Sequence, residues 1–181
     1  GYNLDYMIHR SIPDTKHFIY SYCTGANSDF ETRLDIYKEH GAVLTADNLT
    51  GFGEATEILC IVDESAGDQV AGELSAVLNQ YSVIKATSPL DKSSLWIEVF
   101  AKEVSKSKAV SWLSEKIGVS QVNVCAVGND YNDVDMLDWA GQGYLVSNGP
   151  ESLLSDYAVV ASNNEGGVAE AASRWIKDIE L

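Results

Sequence analysis

Residues 126–141, AVGNDYNDVDMLDWAG, concentrate side chains that could bind a metal ion or a phosphate group. The apolar run 122–127 is followed by four polar residues: Asn129, Asp130, Asn132 and Asp133. An apolar run, a glycine, a polar cluster and an amphipathic segment predict a strand, a tight loop and a helix. Loops at the carboxyl ends of strands are where open α/β sheets bind ligands. This stretch is therefore a candidate functional site.

Two carboxylates and two amides on one loop suit Mg²⁺, which prefers a few protein oxygens completed by water and phosphate. The alternative is that these residues cap the helix predicted at 133–140, because Asn and Asp are favoured at helix N-termini. One capping residue would suffice, whereas residues 128–133 hold four polar positions. The sequence favours the metal site and leaves the cap open.

Lys106, followed by Lys108, lies at the predicted start of a helix that comes after a strand. A lysine is unfavourable there, because the helix dipole favours anions at its N-terminus. An anionic ligand shared by the lysine and the helix N-terminus would remove the conflict. A solvated surface lysine is the alternative, and the sequence alone does not decide between them.

The elements that must position these residues alternate along the second half of the chain. The pattern predicts helix 105–117 ended by Gly118, strand 122–127, helix 133–140, strand 143–147, a short helix from Pro150, strand 157–160 and helix 167–179. Such alternation favours a parallel sheet with helices on its faces. The polar loops 147–151 and 162–170 are routine turns when taken singly. Together with the first loop they would lie along one sheet edge.

The first half has a different pattern. It predicts helices 13–22, 29–39 and 69–78, strands 57–62, 82–87 and 95–100, and a polar connection over 45–54. Gly41 is expected just past the end of the second helix. The change of pattern places a boundary near 100–104. Residues 1–100 are predicted to form a small α/β module, and residues 101–181 half of a doubly wound, Rossmann-like parallel domain.

Composition limits the classes of partner. The net charge of −15 and the pI near 4.3 exclude nucleic acid as the default partner, because no basic face can neutralise phosphates. Small phosphorylated ligands remain compatible, since one or two cations or a metal ion would suffice for them. No apolar run reaches the length of a membrane span, and no signal peptide is visible. The sequence therefore predicts a cytoplasmic protein that binds neither nucleic acid nor membrane.

The cysteines and histidines show no metal-ligand spacing. The cysteines also lack a disulfide framework, so we expect free thiols in a reducing compartment: Cys23, Cys60 and Cys125. Surface or capping roles are expected for the histidines: His9, His17 and His40.

Several motifs occur together in VSKSKAVSWLSEKIGV, NVCAVGNDYNDVDMLDWAG, YLVSNGPE and VVASNNEGGVAEA. In this order they resemble the C-terminal part of a haloacid dehalogenase (HAD) superfamily phosphatase. The similarity is to the Cof-type branch, which has an α/β cap. It covers about residues 95–175, whereas residues 1–94 resemble the cap of that branch in pattern alone.

The resemblance implies roles for the residues already singled out. Lys106 matches the family lysine that steadies the phosphate and the nucleophilic aspartate. Asn129 and Asp133 match the acidic pair of the family's G-D-x-x-N-D metal motif, and Asn132 lies between them. Asn148 matches the asparagine of the next strand-end loop.

These matches imply Mg²⁺ as the cofactor, with Asn129, Asp130 and Asp133 as its expected ligands. Lys106, Asn132 and Asn148 are the expected phosphate contacts. The family reaction is attack of an aspartate on a phosphate monoester, followed by hydrolysis of the aspartyl-phosphate. The cap would select a small phosphorylated metabolite, with sugar phosphates as the family-level expectation.

Two departures qualify the resemblance. Asn129 stands where the family has an aspartate, which removes one charge from the metal site. At about 4 Å and an effective dielectric constant of about 20, one charge pair is worth up to about 4 kcal/mol. Asp130 is the neighbour placed to compensate. The family nucleophile lies in an N-terminal D-x-D loop, whereas the D-x-D of this sequence is Asp133–Asp135, within the metal loop.

We therefore expect this chain alone to be inactive and to carry the cap and half of the core of a phosphatase. The rival hypothesis is a non-catalytic HAD-like fragment or pseudoenzyme that acts as a ligand-binding or assembly module. A half-sheet exposes an edge that could pair with a second copy, which predicts a homodimer.

Overall fold

A computed structural model describes residues 3–25, 27–90 and 93–179 of the chain. Within it the chain divides into two compact units, Gly1–Glu103 and Val104–Leu181. Each unit has its own sheet and its own buried core, so the predicted α/β class is confirmed. None of the helices that the structure describes is long and apolar enough to cross a membrane.

The first unit is built on a mixed six-stranded sheet. Its strands are β1 (Tyr6–Arg10), β2 (Phe18–Ser21), β3 (Gly41–Val43), β4 (Ala55–Asp63), β5 (Tyr81–Thr87) and β6 (Ser94–Ala101). Their order across the sheet is β3-β2-β1-β4-β6-β5, with β2 and β3 parallel and the other described pairs antiparallel. The helices are α1 (Ser28–Ile36), α2 (Ala46–Thr50) and α3 (Glu64–Val77).

Helices cover both faces of this sheet. Consecutive residues of β4 are apolar and point to opposite sides, so each face of the strand has an apolar surface to bury. Leu59 packs in a cluster with Phe30 of α1. Its neighbour Cys60 packs with Leu74 of α3. The strand predicted at 57–62 is thus a central strand buried on both sides, which explains its continuous apolar run.

The helix predicted at 13–22 is wrong. Most of this segment is a turn followed by β2, in which Phe18 and Ile19 are both buried. β2 pairs with β1 on one side and with β3 on the other. Pairing with two neighbouring strands outweighs the local pattern, and the same pairing accounts for β1, which no sequence pattern indicated.

Gly41 has a different role from the one expected. The helix α1 ends at Ile36, with Tyr37 as its C-cap, so Gly41 does not end it. Gly41 instead begins β3, where a Cβ atom would lie 2.6 Å from the ring of Phe18 on the adjacent strand. A close approach between strands, and not a helix end, accounts for this glycine.

Two further limits differ from those predicted. The helix α3 begins at Glu64 and not at residue 69. Gly67 therefore lies inside the helix and not in a loop before it, and its missing side chain leaves room for Leu95 of β6. The connection over 45–54 contains α2. Its N-terminus is closed by Thr45 and Asn48, each of which accepts a hydrogen bond from the backbone N–H of the other.

The second unit is a three-stranded parallel sheet with helices on both faces. Its strands, in spatial order, are β7 (Cys125–Gly128), β8 (Gln142–Val146) and β9 (Ala158–Val160). Its helices are α4 (Lys106–Ile117), α5 (Val134–Trp139) and α6 (Gly167–Ile179). Short 3-10 turns cover Gln121–Asn123, Tyr131–Asp133 and Glu151–Leu153. The predicted order of elements is confirmed.

The layers of the second unit follow from alternation along β8. Leu145 packs with Leu137 of α5, whereas Tyr144 and Val146 pack with Ala171 of α6 on the other face. The helix α4 in turn packs against α5. Because all three strands are parallel, their carboxyl ends meet at one edge of the sheet.

The limits of α4 are those expected from sequence. Ser105 is the N-cap, and its hydroxyl accepts a hydrogen bond from the backbone N–H of Lys108 at 3.2 Å. Gly118 closes the helix in the left-handed conformation, with φ of 70°. These caps fix Lys106 as the first helical residue.

The three cysteines are free thiols, as expected, and burial raises the pKa of Cys60 to about 11. The surface or capping role expected for the histidines is wrong for His9, which is only 5% exposed. His9 lies on β1, where its side chain shares a sheet face with the neighbouring Phe18 of β2. Burial lowers its pKa.

We expect Leu59→Ala to lower the free energy of unfolding by about 2–5 kcal/mol, because it opens a cavity in the core of the first unit. Leu49→Ala is the matched control, since Leu49 is 51% exposed on α2. It should change stability by less than about 0.5 kcal/mol. Urea denaturation followed by circular dichroism measures both. Equal losses for the two variants would contradict the assigned core.

Candidate functional site

The polar loop identified in the sequence follows β7 at the carboxyl edge of the parallel sheet. It runs from Gly128 through the 3-10 turn Tyr131–Asp133 into α5. Gly128 is required by packing, because a Cβ atom there would lie 2.6 Å from the Cβ atom of Asp133. The glycine thus lets the loop fold back until Asp133 lies against the end of the strand.

Asp133 holds this loop together. It is 6% exposed, and its Oδ2 atom accepts hydrogen bonds from the backbone N–H groups of Asn129 at 2.7 Å and Asp130 at 3.2 Å. Asp130 reciprocates by accepting from the backbone N–H of Asp133 in a capping box, and from that of Tyr131 at 2.7 Å. Both carboxylates therefore accept hydrogen bonds from backbone N–H groups that the tight turn would otherwise leave without a partner.

Lys106 reaches this loop from the start of α4. Its Nζ atom lies 2.5 Å from Oδ1 of Asp133, although 27 residues separate the two in sequence. The Lys106 side chain is 45% exposed, whereas that of Asp133 is 8% exposed. The ammonium group is thus paired with a buried carboxylate and remains accessible to solvent.

A second contact joins the same two elements. Oδ2 of Asp135 accepts a hydrogen bond from the backbone N–H of Ser107 at 3.1 Å. Burial alone would raise the pKa of Asp135, but hydrogen bonds from this N–H and from the Ser105 and Ser107 hydroxyls outweigh it and lower the pKa. The positive end of the α4 dipole also stabilises the negative charge of Asp135. Sequence reasoning missed this role, because nothing local links residue 135 to residue 107.

The loops after β8 and β9 lie next to each other at the same edge. Asn148 donates its amide N–H to Oδ1 of Asn163 at 2.9 Å and accepts from the Asn163 backbone N–H at 3.1 Å. A Cβ atom on Gly149 would lie 3.2 Å from the backbone oxygen of Asn129, so the first two loops also approach closely. The structure thus brings the three polar loops together along one edge. The partner of Asn148, Asn163, was not singled out in the sequence.

The donor set of the 128–133 loop fits Mg²⁺ in the type of its atoms, although most of its carboxylate oxygens already have hydrogen-bond partners. Its carboxylate and amide oxygens are the hard ligands that Mg²⁺ prefers. Asn129 is exposed at the strand end. Both oxygens of Asp133 already accept hydrogen bonds, and Asp130 is buried in the capping box. Within the described residues, no group of three or more His, Cys, Asp or Glu side chains is placed to hold a metal ion.

The two explanations of the loop offered by the sequence are therefore not exclusive. Asp130 and Asp133 cap the turn, which accounts for two of the four polar residues. Capping does not account for Asn129, whose side chain is exposed, or for the lysine drawn to Asp133. A cation held at a strand end, beside an exposed side-chain amide whose N–H groups can donate, is an arrangement suited to a phosphate group.

A family model described as haloacid dehalogenase-like hydrolase matches residues 11–171. A 5-amino-6-(5-phospho-D-ribitylamino)uracil phosphatase of Bacillus subtilis is 32% identical over 118 residues, which is 64% of this chain and 44% of the relative. A phosphoglycolate phosphatase of Archaeoglobus fulgidus is 37% identical over 70 residues, which is 38% of this chain and 31% of the relative.

Solved structures show the same fold. A phosphatase of the haloalkanoate enzyme superfamily from Bacteroides thetaiotaomicron superposes with a TM-score of 0.68 at 18% identity, over 94% of this chain and 59% of its own. A haloacid dehalogenase-like hydrolase from B. subtilis gives 0.64 at 17% identity, over 92% and 64%. The chain spans 28–44% of the first curated relatives that it matches.

We expect Gly128→Ala to lower the free energy of unfolding by about 1–3 kcal/mol, because the added methyl group must displace Asp133. Gly72→Ala is the control. Gly72 lies within α3 with open space around it, so alanine there should be neutral or stabilise by up to about 1 kcal/mol. Urea denaturation of both variants is the measurement. A Gly128→Ala protein as stable as the unmodified one would show that the close approach to Asp133 is not needed.

Proposed function

Because the chain belongs to the haloacid dehalogenase-like hydrolase family, we propose that it is part of a phosphatase that hydrolyses phosphate monoesters of small metabolites. The observation that carries this proposal is the ion pair between Lys106 and Asp133 at the carboxyl edge of the parallel sheet. The edge is where α/β sheets bind ligands, and the half-exposed ammonium group supplies the charge that a phosphate requires.

In the proposed reaction Lys106 neutralises charge on the phosphoryl oxygens. Phosphoryl transfer spreads negative charge over these oxygens in the transition state, so positioned cations contribute most of the help that a protein can give. Asp133 acts through Lys106 as a positioning residue. Asp135 assists by fixing the first turn of α4 through Ser107, so that the lysine reaches the loop from a set direction.

Mg²⁺, when bound, would supply further positive charge to the phosphate. Asn129, Asp130 and Asp133 remain the proposed ligands on this chain, with Asn129 the most accessible of the three. Asp133 would have to share oxygens that already accept hydrogen bonds, so its first task in our proposal is to hold Lys106. The amides of Asn132 and Asn148 are proposed to contact the phosphate.

The nucleophile is proposed to come from residues other than those of this sequence. The D-x-D that the sequence does contain, Asp133–Asp135, is engaged with Lys106 and Ser107 and is not the proposed nucleophile. An aspartyl-phosphate mechanism is therefore proposed for the parent protein, with this chain alone inactive. The first unit is proposed to be the cap.

The substrate class rests on the relatives. Two of them are named as phosphatases of a phosphoribityl-aminouracil compound and of phosphoglycolate, both small phosphorylated metabolites. We extend that class, but neither particular compound, to this protein. Sugar phosphates, a cytoplasmic location and a homodimer formed through the sheet edge remain predictions. The rival hypothesis of a non-catalytic module draws its support from Asn129, which gives the metal site one charge fewer.

In the protein produced from the native gene, we expect Lys106→Met to lower kcat for p-nitrophenyl phosphate with Mg²⁺ by about 10²–10³-fold, because a charge that stabilises the transition state is lost. Lys108→Met is the control, since Lys108 is an exposed lysine on the same turn. Phosphate release measures both. If the native product has no Mg²⁺-dependent turnover, the non-catalytic alternative stands.

Asn129→Asp should lower the Mg²⁺ concentration that gives half-maximal activity by about tenfold or more, because it adds a negative charge beside the metal. Asn123→Asp makes the same change just before β7, at the end of the strand opposite to Asn129, and should leave that concentration nearly unchanged. A Mg²⁺ titration of phosphate release compares them. Equal responses would remove Asn129 from the proposed ligands.

A further inference from the structure

A cavity of about 240 Å³ lies in the first unit, between the end of α1 and the sheet. The residues used below line it: His9, Lys16, Phe18, Arg33, Tyr37 and Glu57. It belongs entirely to this unit and shares no residue with the Lys106–Asp133 pair. None of the roles proposed above uses it.

Three of the lining residues form one row across the sheet. His9 of β1 lies directly opposite Phe18 of β2 on one side and Glu57 of β4 on the other. Residues opposite each other on paired strands point to the same face. Arg33 and Tyr37 are four residues apart at the end of α1, so they lie on one face of that helix. The sheet supplies one wall of the cavity and the helix the other.

His9 brings an unused hydrogen-bond acceptor to this place. Its Nδ1 atom lies 2.9 Å from the backbone oxygen of Thr15, which can only accept, so Nδ1 carries the proton. Burial lowers the pKa of His9 and outweighs the opposing effects of the Thr15 hydrogen bond and of Glu57, which keeps the ring neutral near pH 7. Nε2 therefore carries a lone pair. It is buried and has no partner among the described residues.

Arg33 adds a positive charge to the cavity. Its guanidinium group lies over the ring of Trp96 at 4.5 Å and over that of Tyr37 at 5.3 Å. Its Nε atom is buried without a hydrogen-bond partner. The guanidinium group forms no ion pair with any residue that the structure describes. Buried donors and acceptors of this kind are normally satisfied, so two beside one cavity indicate a missing partner.

The residues that line the cavity carry a net charge opposite in sign to that of the chain. Lys16 and Arg33 against Glu57 give 2 − 1 = +1, whereas the whole chain carries −15. Lys16 is exposed and lies in the loop between β1 and β2, so its ammonium group can follow a ligand. A small anion is therefore attracted to this place on an otherwise acidic protein.

We propose that this cavity binds a small organic anion that also carries hydroxyl groups, such as a sugar acid. Its anionic group pairs with Arg33 and Lys16, and its hydroxyl groups donate to His9 Nε2 and to the Glu57 carboxylate. The ring of Phe18 packs against its carbon skeleton. The volume equals that of roughly eight water molecules, which limits the ligand to the size of a single sugar. The inference concerns binding alone and does not depend on the proposed hydrolysis.

Calorimetric titration of the 181-residue chain with D-gluconate tests the inference, because gluconate carries one carboxylate, several hydroxyl groups and no phosphate ester. D-Glucose lacks the charge, and acetate lacks the hydroxyl groups. We expect saturable binding of gluconate, and binding of glucose and of acetate at least about tenfold weaker, since each loses one set of contacts. Equal heats for the three compounds, or none for gluconate, would overturn the proposal.

Variants locate the site. Arg33→Gln should weaken gluconate binding by about tenfold or more. Lys38→Gln is its control, because Lys38 is an exposed lysine that pairs with Asp35 away from the cavity, and the net charge changes equally. Should Arg33→Gln fail to fold, Lys16→Gln removes the other cation from an exposed loop. Gluconate binding that Lys16→Gln and Arg33→Gln leave unchanged would place the ligand elsewhere.

His9 gives a test that charge alone cannot mimic. In His9→Asn the side-chain amide can still donate to Thr15, but nothing replaces the Nε2 acceptor. In His9→Gln the longer side chain returns a polar group to the Nε2 position. We expect the asparagine variant to weaken gluconate binding by about fivefold or more, with partial recovery in the glutamine variant. Equal affinities for both variants and the unmodified chain would exclude His9 as a contact.

Discussion

The second unit depends on the carboxylate of Asp133. One of its oxygens closes the turn after β7 by accepting two backbone N–H groups, and the other holds the ammonium group of Lys106. A buried carboxylate needs such partners, because an unpaired charge out of water is strongly unfavourable. The same pairing gives the chain a positioned cation at the edge of an acidic protein. The folded loop and the proposed chemistry therefore both require the carboxylate of Asp133.

This arrangement also explains why the site needs so few residues. Parallel strands deliver their loops to one edge, so Asn129, Asn148 and Asn163 become neighbours without dedicated connections. Two contacts, from Asp133 to Lys106 and from Asp135 to Ser107, then fix α4 against α5. The first unit is built differently, from mainly antiparallel strands around two apolar clusters. Its unused polar atoms lie beside its own cavity, which is why we assign it a binding role of its own.

The sequence predicted the second unit well and the first unit only in part, for physical reasons. In the second unit, local signals agree with the fold: Ser105 and Gly118 delimit α4, and each strand is an apolar run followed by polar loop residues. In the first unit, β2 is short and is defined by its pairing with β1 and β3, which no local pattern encodes. At the site, sequence could name Lys106 and Asp133 separately. Their ion pair and the partners Asp135 and Asn163 depend on contacts distant in sequence.

A double-mutant cycle on Lys106 and Asp133 tests the central claim most directly. Lys106→Met, Asp133→Asn and the double variant would be compared with the unmodified chain by urea denaturation. Because Asp133 is buried and Lys106 is half-exposed, we predict a favourable coupling energy of about 1 kcal/mol, above the few tenths found for independent sites. A coupling energy within error of zero would contradict the account, because the two residues would then act separately.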